Sequence, residues 1–182
     1  MKNNLKTTVK TLAIVCIASF VFMGGCLKKL TSVKFNYHSE ATFITDSLST
    51  VGNQTFGSSV VTSDLKKEVE DNGSSIDMLD ELKLKSAELS FTGPDSAKKF
   101  DDVESFELWL SATGLPTIKL ASKNPVANGL STVKLDVSNN DDLVQYIKAT
   151  TFTYEVKGKN SAALLPVHLK INAEFEAKAS AK

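Results

Sequence analysis

Apolar and polar residues alternate along most of this chain, and this period of two constrains its fold more than any other feature of the sequence. The pattern is clearest in residues 167–178, where every odd-numbered residue is apolar and every even-numbered residue is polar. Successive side chains of a β-strand point to opposite faces, so the segment is predicted to be a strand with one face in a core and the other in water. Residues 33–43 largely follow the same pattern and predict a long first strand.

Shorter alternating segments lie between these two and bring the predicted total to about seven strands. They are residues 87–91, 106–111, 118–120, 133–137 and 152–156. Most of them are separated by turn-forming residues, namely Gly93-Pro94-Asp95, Gly114 with Pro116, Asn128-Gly129 and Gly158-Lys159-Asn160. The alternation changes parity between Leu84 and Ala87, which predicts either a bulge or the end of a helix near Lys85 and Ser86. Residues 45–59 are rich in Ser, Thr, Gly and Asn and are assigned no strand.

Two or three short helices are predicted between the strands. Their cap residues are Ser63, Ser75 and Asn140, and the helical segments follow at 64–69, 76–82 and 141–147. Gly73 lies just past the first of them, where a glycine commonly ends a helix. These helices are too short to form a layer of their own.

Strands with one apolar face must bury that face against another element, and about seven of them predict two sheets packed face to face. The sequence therefore predicts an all-β protein, an immunoglobulin-like antiparallel β-sandwich of about seven strands. The Cys…Trp…Cys pattern of antibody-type domains is absent from the sequence. Residues 32–182 are long enough for a single domain.

Residues 1–25 have the pattern of an export signal. Lys2, Lys6 and Lys10 precede an uncharged apolar run over residues 12–23, and Gly24 and Gly25 follow that run. The apolar run is much shorter than the roughly 20 residues that a membrane-spanning helix needs, but it suits a cleaved secretory signal peptide. An uncleaved signal anchor is the alternative.

The segment Val21-Phe22-Met23-Gly24-Gly25-Cys26 resembles the lipobox of bacterial lipoproteins, with Met23 in the place of the usual Leu. The resemblance implies that Cys26 is acylated and that the signal peptide is removed after Gly25. Residues 26–31 would then be a lipidated tether and 32–182 the domain. An ordinary secreted protein cut near Gly25 is the alternative.

The rest of the chain resembles small β-sandwich lipoproteins of Bacteroidetes-type bacteria. The resemblance is carried by apolar residues of the segments 82–89, 106–111 and 142–147. It implies a lipid-anchored protein of the cell envelope, in the outer membrane, and it implies no catalytic residue. The tether segment 27–30 contains no acidic residue, which favours the periplasmic side.

Charge and cysteine content exclude several kinds of partner and site. Without Lys2, Lys6 and Lys10, 18 of the 21 basic residues remain against 21 acidic ones, and all of the basic residues are Lys. A slightly acidic chain without Arg lacks the basic surface and the bidentate guanidinium groups that bind nucleic acid. After cleavage Cys26 is the only cysteine, so the mature chain has no internal disulfide and no zinc-thiolate site.

Few residues are candidates for a functional site, and no cofactor is predicted. His38 and His168 are the only histidines and lie on outward strand faces, where a metal site is conceivable with carboxylates such as Asp141 and Asp142. Solvated histidines and helix-capping aspartates are the alternative. Trp109 also faces outward, and it can either stack on a sugar ring or be half covered by a bulge or a helix. Catalytic motifs such as G-x-S-x-G and the P-loop are absent.

These observations predict a lipid-anchored envelope protein with a non-enzymatic binding or structural role. Its partners would be the membrane, through the lipid on Cys26, and an envelope protein or a glycan. A carbohydrate-binding module accessory to glycan capture is the alternative, and a metal-dependent hydrolase is a third hypothesis.

Overall fold

The computed structural model describes residues 32–138 and 141–180. The predicted signal peptide, its cleavage site after Gly25, the lipidation site Cys26 and the tether lie outside the described residues, as does the predicted cap Asn140. Val33–Lys182 forms one compact unit. In the part of the chain that is described, no helix has both the length and the apolar character to cross a bilayer.

Eight strands form one antiparallel sheet in the order β1-β8-β3-β6-β5-β4-β7-β2. The strands are β1 (Ser32–Ile44), β2 (Gly52–Thr62), β3 (Leu79–Phe91), β4 (Val103–Ser111), β5 (Ile118–Lys123), β6 (Thr132–Val137), β7 (Thr151–Asn160) and β8 (His168–Ser180). Two short helices, α1 (Leu65–Asp71) and α2 (Val144–Ile147), and two 3₁₀ turns, Ile76–Met78 and Gly93–Asp95, lie between them.

The sheet curls so that its two halves face each other. β5 and β6 share only two residue pairs, Ala121 with Val137 and Ser122 with Asp136, so the sheet can bend sharply between them. At the other side the edge strands β1 and β2 approach each other, and the Ser59 hydroxyl donates to the Thr42 carbonyl oxygen at 3.2 Å. The halves β1-β8-β3-β6 and β5-β4-β7-β2 therefore enclose one apolar core, as in a sandwich.

The prediction of an all-β, sandwich-like fold is confirmed, but the strand order is not the predicted immunoglobulin-like one. In an immunoglobulin sheet the first strand pairs with the second, whereas here β1 pairs with the last strand, β8. Eight strands in two facing halves, with the first beside the last, are typical of a jelly roll. Alternation predicts which face of a strand is buried, but it does not specify which strand lies beside it.

The eighth strand is β2, which falls largely in the segment that the sequence left without a strand. Only Phe56 of this strand is buried, and Val60 is 70% exposed. Its polar residues carry little alternation, and its conformation comes from pairing with β7 from Gly52 with Asn160 to Thr62 with Thr151, with one register shift between Thr55 and Gly57. A long-range backbone partner, rather than local pattern, thus specifies β2.

Local features of the sequence predicted other details correctly. The register between β3 and β8 shifts between Leu84 and Ser86, at the position of the predicted bulge. Helix α1 is present and Gly73 lies past its end with φ of +79°, but its N-cap is Asp64 and not the predicted Ser63, whose hydroxyl accepts a 3.4 Å hydrogen bond from Leu65 N. The second predicted helix is only the 3₁₀ turn Ile76–Met78, because Leu79 and its successors join β3.

Candidate functional site

An apolar cavity of about 390 Å³ opens at the end of the molecule where β3 stops and β8 starts. We call it the end pocket, and its volume lies within the usual range for small-molecule sites. The floor of the pocket consists of Phe56, Phe91, Phe100, Val103, Val167 and Leu169. The wall consists of Ala163, Leu164 and Leu165. The rim consists of the charged residues Lys98, Lys99, Asp101 and Asp102.

Stacked and edge-on aromatic rings form the floor of the end pocket. Phe91 stacks on Phe100 with ring centroids 4.1 Å apart, and Phe100 meets Phe106 edge-on at 5.2 Å. Phe106 in turn packs against Phe56 at 5.2 Å, which joins residues of β2, β3 and β4 to the loop that carries Phe100. Backbone hydrogen bonds hold that loop, because Phe100 N donates to Leu130 O at 2.8 Å. The rings therefore form a rigid apolar surface.

The loop between β7 and β8 forms the wall of the pocket. Leu164 and Leu48 exchange two backbone hydrogen bonds of 2.9 Å, and the Asn160 side-chain amide donates to Thr50 O and Ala162 O at 2.9 and 2.6 Å. These bonds hold a loop whose Leu165 side chain remains 76% exposed. A large apolar side chain is thus presented to solvent at the mouth of an apolar cavity.

Charged side chains surround the mouth of the end pocket, and Asp95 forms the centre of a cluster beside it. Asp95 pairs with Lys98 at 2.9 Å and with His168 Nδ1 at 2.8 Å, and it also accepts a hydrogen bond from His168 N. The Lys98 ammonium and the two His168 groups hold the pKa of Asp95 well below its usual range. This cluster ties the start of β8 to the 3₁₀ turn after β3, next to the pocket.

The two histidines proposed from the sequence as metal candidates do not come together. The ion pairs Lys34–Glu176 and Lys170–Glu40 indicate that His38 on β1 lies opposite Asn172 on β8. His168 is four residues further along β8, which corresponds to about 13 Å. Within residues 32–138 and 141–180, no group of three or more His, Cys, Asp or Glu side chains is arranged to hold a metal ion.

The two aspartates proposed with them lie at the start of α2. Asp142 Oδ1 accepts hydrogen bonds from Leu82 N at 3.0 Å and from Val144 N at 3.1 Å, so it joins the helix to β3. Asp141 is exposed beside it. A carboxylate that accepts two backbone N–H groups has a structural task, although the N-cap position of α2 is Leu143.

Trp109 is half-buried on the outer face of β4, and its surroundings are ionic. Its Nε1 donates to Glu107 Oε2 at 3.0 Å, and the ammonium groups of Lys157 and Lys119 lie 4.9 and 5.8 Å from the ring centroid. A bulge against β5 does occur between Leu108 and Trp109. Beside the ring, Gln54, Ser105, Glu107 and Lys157 line a polar groove of about 530 Å³.

The end pocket was missed by the sequence analysis. Phe100 lies outside every strand, and residues 161–167 carry no site motif. The available signals were the apolar Ala162-Ala163-Leu164-Leu165 run between two strands and an isolated Phe in a charged loop. Neither signal indicates a pocket, because the pocket forms only where the fold brings the ends of several strands together at one end of the domain.

Comparisons with known proteins add no family assignment. No protein-family model matches the chain, and no curated protein matches it. Among solved structures it is similar to the VP2 subviral particle of infectious bursal disease virus, with a TM-score of 0.37 and 12% identity over 83% of this chain and 33% of that chain. Desmodium yellow mottle tymovirus gives a TM-score of 0.31 and 14% identity over 82% of this chain and 89% of that chain. Nora virus gives a TM-score of 0.30 and 14% identity over 84% of this chain and 61% of that chain. The matched segment is thus about a third of the length of the VP2 chain, and similarities of this size say nothing about function.

Proposed function

We propose that the protein is a lipid-anchored, non-enzymatic binding protein of the bacterial cell envelope that holds an apolar ligand in the end pocket. The observation that carries this proposal is the pocket itself, a cavity lined by aromatic and aliphatic side chains that opens to solvent at one end of the apolar core. Exposed apolar surface of this kind marks binding sites in soluble domains.

The position of the pocket supports a tethered binding role. β1 begins at Ser32, where a tether would attach, and its 13 residues span about 40 Å. Its other end reaches the pocket, because Thr45 N donates to Val167 O at 2.9 Å. The pocket therefore lies at the end of β1 away from Ser32, the residue that follows the predicted tether in the chain. We place the protein in the outer membrane, with the domain in the periplasm.

The carbohydrate-binding alternative has a separate observation in its favour, the polar groove beside Trp109. Against it, two lysines already lie over the indole ring and Glu107 already accepts its N–H. A titration with oligosaccharides, followed through Trp109 emission, separates the two hypotheses, because an apolar ligand in the end pocket does not contact Trp109. The hydrolase hypothesis is the least supported, since His38 and His168 do not share a site.

The anchor is tested by Cys26→Ser. We expect the wild-type chain to sediment with membranes and to incorporate labelled palmitate, and the variant to incorporate no label, because a serine hydroxyl does not form the thioether. Subcellular fractionation with metabolic labelling measures both. Label on the Cys26→Ser chain, or a wild-type chain without label, would contradict the anchor.

The pocket is tested by Ala163→Phe, which places a ring in the mouth of the end pocket from an exposed loop position. The neutral dye N-phenyl-1-naphthylamine should bind the exported Cys26→Ser protein with one saturable site. We expect the added ring to weaken binding about tenfold or more, or ~1.4 kcal/mol. Ala127→Phe is the matched control, since Ala127 is exposed but does not line the pocket. Equal dye binding by both variants would contradict the proposed site.

A further inference from the structure

We propose that the ligand of the end pocket is a zwitterionic single-chain amphiphile, with its apolar chain in the pocket and a headgroup of both charges at the rim. This inference rests on the proposed function of the pocket and specifies the chemistry of its ligand. It follows from the contrast between an apolar interior and a rim that carries both signs of charge.

The interior accepts only an apolar group. Phe56, Phe100 and Leu169 are almost fully buried and form its floor, and their side chains offer no hydrogen-bonding group. A polar group placed among them would lose its hydrogen bonds to water without replacement, which is unfavourable. An alkyl chain or a ring that contacts these side chains is removed from water on that side, which is favourable.

Of the four rim charges, Lys98 is in an ion pair within the protein, and the Asp101 carboxylate is held by a backbone hydrogen bond but keeps its charge. Lys98 pairs with Asp95 at 2.9 Å, and Asp101 Oδ1 accepts a hydrogen bond from Gly129 N at 2.5 Å. These two side chains are therefore held in place by the fold. They define the rim but are not the groups most available to a ligand.

The other two rim charges, Lys99 and Asp102, remain for a ligand. Both are exposed, and neither has an ion pair or a side-chain hydrogen bond within residues 32–138 and 141–180. One is a cation and the other an anion, separated by Phe100 and Asp101 in the chain. A headgroup with a single charge meets one attraction and one repulsion at this rim, whereas a zwitterionic headgroup satisfies both.

The experiment compares three amphiphiles that share one dodecyl chain and differ only in the headgroup. Dodecylphosphocholine, dodecyl sulfate and dodecyltrimethylammonium, each below its critical micelle concentration, compete with N-phenyl-1-naphthylamine for the exported Cys26→Ser protein. We expect the zwitterionic compound to displace the dye at concentrations about fivefold or more below those of the two singly charged ones. Displacement by all three at the same concentration would overturn the inference but leave the pocket, and hence the proposed function, intact.

Charge variants of the rim provide the second measurement. Lys99→Glu should shift the preference towards the cationic compound, and Asp102→Lys towards the anionic one, because each replaces one rim charge by its opposite. Lys66→Glu on α1, whose side chain is 72% exposed, is the control and should leave the order unchanged. An order of affinities that is the same in Lys99→Glu, Asp102→Lys and Lys66→Glu would overturn the inference. So would co-flotation of the protein with zwitterionic vesicles when the monomeric amphiphiles fail to displace the dye.

Discussion

Replacement of Gly158 by alanine is expected to lower the free energy of unfolding by about 3 kcal/mol. An alanine Cβ at this position would lie 2.1 Å from the Ser105 carbonyl oxygen and 3.1 Å from the Phe56 ring. Ser105 cannot easily move away, because β4 is paired with β7 without interruption from Ser105 to Ser111. The added methyl group therefore has to separate two central strands or disturb the floor of the end pocket.

Urea denaturation followed by circular dichroism measures this loss in the exported Cys26→Ser protein. Gly114→Ala is the matched control, because nothing lies within 4 Å of its added Cβ and only its φ of +79° opposes alanine. That backbone strain should cost about 1 kcal/mol. A loss at Gly158 no larger than the loss at Gly114 would show that β4 and β7 are not in such close contact.

Replacement of Phe106 by alanine is expected to lower the free energy of unfolding by about 3–5 kcal/mol and to weaken dye binding in the end pocket. Phe106 is fully buried and packs edge-on against both Phe56 and Phe100. Its removal leaves a cavity directly below the pocket. The two floor rings then lose the surface that orients them, so the pocket loses its shape as well as its support.

Phe152→Ala separates the loss of stability from the loss of the site. Phe152 is 1% exposed and packs edge-on against Tyr154 at 5.2 Å, near the start of β7 and away from the pocket. We expect a similar destabilisation from this variant, measured by urea denaturation, but unchanged affinity for N-phenyl-1-naphthylamine. Unchanged dye affinity in Phe106→Ala would contradict the proposed role of Phe106 beneath the pocket floor.

Elements with strong local patterns were predictable from the sequence. The alternation of residues 167–178 predicted where β8 lies and which of its faces is buried. Leu169, Ile171 and Phe175 all point to the same face of the strand, so they are buried together when that face meets the core. The bulge in β3 was equally predictable, since a change of parity in one strand requires an extra residue. β2 was not, because pairing with β7, rather than an apolar face, holds it in place.

The candidate site was much less predictable than the strands. Trp109, His38 and His168 were candidates for a functional site because these residue types are scarce in the sequence and chemically distinctive. The structure places them at three separate positions. Phe100 and Leu164 are ordinary apolar residues in loops. They become part of a site only because backbone hydrogen bonds fix both loops. The Leu130 carbonyl holds the loop that carries Phe100, and Leu48 holds the loop that carries Leu164.

By itself the sequence determined that the domain is all-β, which faces of its patterned strands are buried and where β3 is irregular. It also predicted the export segment and the lipid on Cys26, which stay predictions. Only the tertiary structure decided the strand order, the existence of β2 and the end pocket. The physical reason is that side-chain periodicity is a local property of the backbone, whereas strand neighbours and cavities depend on contacts between segments far apart in the chain.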